Sequence, residues 1–570
     1  MPGVAYVGSA ACLECHREEH KSYLQTAHSR ALTRVDPAEE PADARFQHQA
    51  SGRTYSVYRR AGRLRHRETL PGGKTGELLL GDFPMEYTIG SGHHSRSYLF
   101  EQDGFLMESP VTWYAAKHAW GMSPGYDQPT HGSFTRPADV GCLHCHAGRV
   151  EPVGGSLHRL QIHELAVGCE RCHGPGSLHV KLRTSQSLPD DADDRTIVHP
   201  AKLSRELNEA ICAQCHLRGA ATSIIGGRKL SAFRPGLPLE DFRVDYQLEL
   251  PATSMKVTGH LQQMRMSRCY TQSKTLTCTT CHNPHDTPAP EKRVQHYRSK
   301  CLSCHESEGG DGCRLAPSVR AAKSPQNDCL SCHMPRVPTD IPHFAFTHHR
   351  IGKNHARRYE DPKPDGGRLV PIGGVSHLSP RERDRCLGLA YLEFSGLSPA
   401  ASADVYAERA FSLLDRVYRS GARDPTVLAA LARLHWSRES PECIALATQA
   451  LKSPGCPPRA RANALFILGE SQLRAGQVRA AIQSLEALVR IRRHPEAWVL
   501  LAIARSRNGD APGAIRAFVR ALAIRPDRPD VHSLLADEYA RIGKPADARR
   551  HRETADRLSR RLGTRNKRPP

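Results

Sequence analysis

From Arg381 to about residue 560, apolar residues recur three and four apart, the period of helices that bury one face. The stretch "PEAWVLLAIARSRNGDAPGAIRAFVRALAIRPDR" (495–528) is 34 residues long, and its key positions are Trp498, Leu501, Ala502, Gly509, Ala514, Phe518, Ala521 and Pro526. The next copy repeats these offsets with His532, Leu535, Ala536, Tyr539, Gly543 and Ala548. Upstream, Leu465, Leu468, Gly469, Gly476, Ala481 and Leu485 follow with one residue fewer between copies. Small residues let two helices of a hairpin approach, and large ones fill the groove to the next hairpin. The pattern predicts an all-α solenoid over 381–560. A generic helical bundle is the competing reading.

Residues 45–115 follow a different period. "RTYSVYRRAGRLRHRETL" and "SYLFEQDGFLMESPVTWY" alternate apolar and polar positions around "AG" and "DG" turns, which predicts β-hairpins. "REEHKSYLQTAHSRAL" near the start reads as helical. Between 142 and 333 little apolar periodicity is visible, and connectors such as "CHGPGSLH" and "FRPGLPLEDF" are rich in proline and glycine. The predicted organisation is therefore a first domain over 1–365 with a β insertion at about 45–115, a linker over 366–380, the repeats over 381–560 and a basic tail over 561–570.

The first domain carries C-x-x-C-H seven times: Cys12/Cys15/His16, Cys142/Cys145/His146, Cys169/Cys172/His173, Cys212/Cys215/His216, Cys278/Cys281/His282, Cys301/Cys304/His305 and Cys329/Cys332/His333. This spacing is the attachment signature of c-type haem. Two thiols on one turn reach the two vinyl groups of a porphyrin, and the next imidazole takes the proximal side of the iron. Zinc knuckles need four ligands but no histidine after every second cysteine. A redox dithiol occurs once, in a βαβ context. The repetition therefore predicts seven covalently bound haems and a core to which porphyrin supplies much of the buried apolar surface. Of 19 cysteines, five remain: Cys269 and Cys313, which could pair or stay free, and Cys386, Cys443 and Cys456, in helical sequence and read as core.

Haem is attached outside the bacterial cytoplasm, so the periplasm or cell surface is expected. "MPGVAYVGSAACLECH" shows no charged and apolar leader, so a signal peptide has been removed or the start lies upstream. No apolar run approaches a membrane span. Net charge is +21, of which +14 lies from Arg381 onward, where 34 basic residues meet 20 acidic ones. The excess is mostly arginine scattered through helices without a nucleic-acid reader motif, which favours an acidic protein partner or an anionic membrane surface over nucleic acid.

The segments "YVGSAACLECH", "YTIGSGHHSRSYLF", "SPVTWY", "WGMSPGYD", "CERCHGPGSLHV", "SRCYTQSKTLTCTTCHNPH" and "DCLSCHMPR" resemble bacterial multihaem cytochromes c of the cytochrome c-554-like and octahaem-reductase-like kind, fused to tetratricopeptide repeats. The resemblance implies close haem pairs with mostly bis-histidine iron. It nominates His28, His94, His179, His260, His285, His343 and His349 as distal ligands, with His131 as a weaker eighth; His93 and His348 compete with their neighbours. His285, three residues after its own motif and beyond a proline, is expected to serve a different haem. Two functions follow. One is electron transfer, with the repeats docking a redox partner and an oligomer compatible with either. The other is a reductase or oxidase of a small nitrogen or sulfur oxyanion or hydroxylamine at one open haem, with His94, Arg96 and Tyr98 as the groups to watch. Against the second, no C-x-x-C-K variant occurs, and plain β-structure explains the same stretch.

Overall fold

The computed structural model describes residues 4–71, 76–185, 189, 193–249, 259–305, 312–324, 326–336, 347–353 and 366–562. The candidate ligand His343 and most of the basic tail lie outside these residues. The chain forms two compact units. One comprises 1–31, 144–148 and 164–413; the other comprises 32–143, 149–163 and 414–570. This partition differs from the expected boundary after 365. The β insertion groups with the repeats, and the first helix past the linker groups with the motif-bearing half.

In the second unit, alternation produces two antiparallel sheets. Strands β1 (Leu32–Arg34), β6 (Tyr87–Ile89), β7 (Ser95–Gln102), β8 (Phe105–Tyr114) and β9 (Ala119–Met122) form one, in the order β1-β6-β7-β8-β9. Strands β2 (Ala44–His48), β3 (Arg53–Arg60), β4 (Arg63–Pro71) and β5 (Glu77–Pro84) form the other, in sequence order. The β3–β4 and β7–β8 turns put Ala61-Gly62 and Asp103-Gly104 at positive φ, the two-residue geometry whose twist matches the strands. Inward-facing Tyr55, Val57, Leu64, Tyr98, Phe100, Met107 and Phe134 make the core.

The repeats of the same unit are helix pairs: Pro425–Trp436 with Glu442–Lys452, Pro458–Arg474 with Val478–Ile491, Pro495–Arg507 with Ala511–Ile524, and Pro529–Arg541 with Pro545–Leu562. Gly476, Gly509 and Gly543 take positive φ at the hairpin turn of the last three. Gly469 is small because an added Cβ would lie 2.6 Å from Leu485. Gly469→Ala should therefore cost about 1–3 kcal/mol in denaturant unfolding through overpacking; a neutral result would mean that Leu485 has room to move.

The β strands and repeats share one unit because polar and apolar contacts join them. Arg53 donates to Glu68 at 2.6 Å and to Asp527 at 2.8 Å, with all three buried. Ser156 Oγ donates to the Ile491 carbonyl at 2.6 Å, and Leu558 packs with Leu70 and Leu80.

The first unit has short helices, a three-stranded sheet (Ala221–Ile224, Arg243–Leu248, Leu369–Pro371) and a small apolar cluster including Phe233, Leu239, Phe242 and Leu261. Helix Pro380–Leu397 belongs here because Arg385 donates to the Ile224 carbonyl at 2.9 Å and Glu393 accepts from Thr222 N at 3.0 Å. Cys386 on this helix is fully buried.

Candidate functional site

Six of the seven attachment motifs lie at or within short helices: Val140–His146, Glu170–His173, Arg205–His216, Cys278–Cys281, Arg293–His305 and Cys329–His333. In the first, Cys12 lies in helix Ser9–Leu13, and Cys15 and His16 follow its end. One helical turn sets two cysteines three apart on one face, as attachment requires. The turn closes with the histidine N–H donating to the carbonyl of the first cysteine: His16 to Cys12 at 2.9 Å, His173 to Cys169 at 3.0 Å and His282 to Cys278 at 3.0 Å. The helix predicted after the first motif is shorter than expected, ending at Tyr23 before a 3-10 turn at His28–Arg30.

The ring nitrogens are prepared for a metal. His146 Nδ1 bonds the Ala31 carbonyl at 3.2 Å, His173 Nδ1 that of Val198 at 2.9 Å and His333 Nδ1 that of Gly352 at 3.0 Å. His349 Nδ1 bonds the Thr347 carbonyl at 2.8 Å, and His282 Nδ1 meets the Tyr297 hydroxyl at 3.3 Å. His179 Nδ1 meets Asp194 Oδ2 at 2.7 Å. A carbonyl or carboxylate acceptor holds the proton on Nδ1, so Nε2 is left with its lone pair for a metal. Burial lowers the pKa of His28, His146, His173 and His282, and pushes His216 and His349 down to about 4 and His260 to about 3. Neutral imidazole is the ligating form.

Among the described residues, four motif histidines have a second imidazole near 6 Å, two of the pairs stacked, one tilted and one edge-on. Ring centres are 6.2 Å apart for His16 and His179, 6.2 Å for His28 and His216, 5.8 Å for His173 and His285, and 6.2 Å for His282 and His349. Two metal–imidazole bonds of about 2 Å, added to the ring radii, put trans imidazole centres about 6 Å apart. Thiols of different motifs also meet: Cys12 with Cys169, Cys145 with Cys215, Cys212 with Cys278, and Cys301 with Cys329. Within the first pair, the neighbouring Cys169 thiol and burial push the Cys12 thiol up, while Cys12 holds the Cys169 thiol below its ordinary value. Attachment turns thus adjoin one another in pairs at these thiols.

The thiols are less uniformly placed than a porphyrin-filled core led us to expect. Cys332 is the plainest departure. It is exposed, joins none of those four pairs, and its Sγ meets the neighbouring Ser331 hydroxyl at 3.8 Å. The reason is local: its helix, Cys329–His333, is five residues long and has no buried residue, so nothing in the turn itself draws the second thiol inward. Cys329 is partly buried because it adjoins Cys301. Cys15, Cys142 and Cys304 are likewise exposed, and the other ten motif cysteines are partly buried.

The remaining histidine candidates are placed otherwise. His260 stands edge-on to His216 at 5.4 Å and to His349 at 4.8 Å, both already facing a motif or distal histidine. His94 is exposed in the turn before β7, whereas Arg96 and Tyr98 both bond Glu40, at 3.1 Å and 2.5 Å, with Tyr98 fully buried. The three watched groups therefore do not share one open pocket. Nor is His131 available as a ligand: Nε2 meets Tyr55 Oη at 2.9 Å and Nδ1 accepts from Ser133 N at 3.1 Å. It is a core histidine. Cys269 and Cys313 are not joined by a disulfide. The residues that orient the imidazoles, Ala31, Val198, Asp194, Tyr297 and Thr347, carry no motif and could not be picked from sequence.

Paired thiols on single turns, followed by imidazoles that keep the Nε2 lone pair for a metal, fit c-type haem, which when bound supplies a one-electron iron centre. Residues 11–57 and 112–174 match the family model for cytochrome c554 and c-prime, and 272–310 match that for the doubled CXXCH motif. Most of the β insertion falls in the gap of the first match. No curated protein matches the chain. Among solved structures, one of MamA from AMB-1 is 21% identical over 30% of this chain and 98% of that one, with TM-score 0.26. A further MamA crystal structure is 15% identical over 33% and 98%, with TM-score 0.26. YrrB, a TPR protein with an unusual peptide-binding site, is 18% identical over 30% and 87%, with TM-score 0.26. No helix among the described residues is long and apolar enough to cross a membrane. Its paired C-x-x-C-H motifs, its cytochrome c554 match and its 34-residue helix pairs together fit a multihaem cytochrome c fused to tetratricopeptide-like repeats.

Proposed function

We propose that this protein is an extracytoplasmic electron carrier with seven covalently bound haems. The observation that carries the reading is the set of four motif histidines facing a second imidazole at bis-histidine spacing. On it, His179 is the distal ligand at the first motif, His285 at the third, His28 at the fourth and His349 at the fifth. His94, His260 and His343 remain the nominees for the other three. An iron with two imidazoles exchanges electrons without binding substrate, and the protein tunes it through ligands, burial and nearby charge.

The touching thiols support a continuous array. Motif three adjoins motif one and, through Cys172, lies near Cys212 of motif four, which in turn adjoins both motif two and motif five. Cys281 of motif five lies near Cys304 of motif six, and motif six meets motif seven through Cys301 and Cys329. Cys329 and the exposed Cys332 together hold the seventh haem, at the outer end of the array. The repeats, with the basic excess, dock an acidic protein partner.

Denatured protein from a host that matures cytochromes c should retain haem, and its mass should exceed the polypeptide's by seven haem groups. Six or fewer would remove a motif from the array. The oxidised protein should be low-spin throughout. A high-spin fraction of about one in seven would instead favour small-molecule chemistry at one open iron.

A further inference from the structure

We propose that Asp194 is a positioning residue that, through His179, lowers the reduction potential of the haem held by Cys12, Cys15 and His16. The inference rests on the assignment of His179 as that haem's distal ligand. Of the six candidate axial histidines with these Nδ1 contacts, four bond a backbone carbonyl and one a phenol. The sixth, His179, meets a carboxylate, at 2.7 Å.

That carboxylate is held firmly in place. Asp194 is nearly buried, its side chain 7% exposed. Thr196 donates to Oδ1 from its backbone N–H at 2.8 Å and also from its hydroxyl, the local turn that aspartate favours. Arg183 donates to Oδ2 at 3.3 Å. Because Arg183 lies one helical turn after His179 on Ser177–Ser185, the same helix presents both groups to the carboxylate. The shorter bond is the one to the imidazole.

A carboxylate accepting Nδ1–H draws the proton away from the ring and makes Nε2 a stronger donor than a carbonyl acceptor would. A more basic axial ligand stabilises ferric over ferrous iron, so the potential falls. His16 belongs to the motif that opens the chain, and Cys12 adjoins only the third motif among the four thiol pairs. Asp194 thus gives the array a low-potential end, where electrons are driven inward toward the third motif.

The test is a redox titration of the full-length, haem-loaded protein, followed by optical spectra and by electron paramagnetic resonance of the ferric state. In Asp194→Asn, all seven haems should stay attached and low-spin, one midpoint should move upward, and one low-spin ferric signal should change its g-values. Asp194→Glu should restore much of the wild-type pattern. Thr196→Val, which loosens the carboxylate without removing it, should give a smaller upward shift of the same component. His179→Ala separates this inference from the ligand assignment beneath it. If His179→Ala turns one haem high-spin while Asp194→Asn and Thr196→Val leave every midpoint in place, Asp194 has no such role. If His179→Ala leaves every haem low-spin, the ligand assignment itself fails.

Discussion

His285→Ala should leave seven haems attached but turn one of them from low to high spin, and that one should belong to Cys169, Cys172 and His173 rather than to the variant's own motif. The argument begins with local geometry. Cys278–Cys281 is a single helical turn, after which "HNPH" leads away; His285 N–H bonds the Asn283 side chain at 3.0 Å and so caps a tight turn. A side chain three residues past His282 is on the wrong side to reach around the porphyrin that its own motif holds. The ring centre of His285 instead lies 5.8 Å from that of His173. His282 in turn faces His349. One short loop would therefore bind one haem and close the coordination of another, which fixes the distance between them, and distance governs electron transfer. Removing the imidazole leaves an iron with one strong ligand. Double variants assign the affected site: adding Cys169→Ala and Cys172→Ala should delete the high-spin signal along with one haem. If the signal persists in that background, His285 serves another haem; if the single variant stays wholly low-spin, it is a loop residue.

Arg53→Met should destabilise the second unit by about 3–5 kcal/mol. Arg53 and Glu68 on neighbouring strands and Asp527 in the repeats are buried, and the guanidinium bonds both carboxylates. Methionine keeps much of the volume but takes the guanidinium from buried Glu68 and leaves Asp527 to Arg525. The loss should depend on pH in a definite direction. Burial pushes the Asp527 carboxyl up, but Arg525 and Arg53 outweigh it and hold it below the ordinary carboxylate value. A group depressed in the folded state contributes stability that is fully present above its unfolded pKa of about 3.9 and is lost as pH falls through the folded value. The gap between wild type and variant should thus be widest near neutrality and should narrow below about pH 4. Far-UV circular dichroism follows the repeats during denaturant unfolding, and the Soret band follows the haem-bearing half. A loss under about 1 kcal/mol, or a gap indifferent to pH, would show that the buried cluster does not tie the strands to the repeats.

The same cluster explains why the expected partition of the chain differs from the units that form. The 34-residue period and the alternation in β3, β4, β7 and β8 are local signals, and the helix pairs and hairpins they predict are present. Nothing local says that the loop carrying Asp527 meets β3, or that helix Pro380–Leu397 pairs with strand Ala221–Ile224 rather than with the repeats it precedes. Those choices depend on which polar groups can satisfy one another once buried.

At the site the division has the same cause. The seven C-x-x-C-H motifs could be read from sequence because thioether attachment and proximal ligation use residues within one helical turn, so the chemistry is written in spacing. Spacing does not say how deep a turn sits: Cys329 meets a neighbouring motif's thiol while Cys332, three residues on, is exposed. The facing imidazoles come from distant parts of the chain, and any of the 32 histidines has the right ring. His131 looks as eligible as His28 until its two nitrogens are seen bonded to Tyr55 and Ser133. His179 acquires its particular character from Asp194, which no motif marks. What the sequence alone determined is the number and position of the attachment turns and the kind of elements around them. Which imidazole faces which motif, and which acceptor holds its proton, was decided only by tertiary packing, because a ligand pair is a matter of distance and direction between backbones that sequence spacing does not encode.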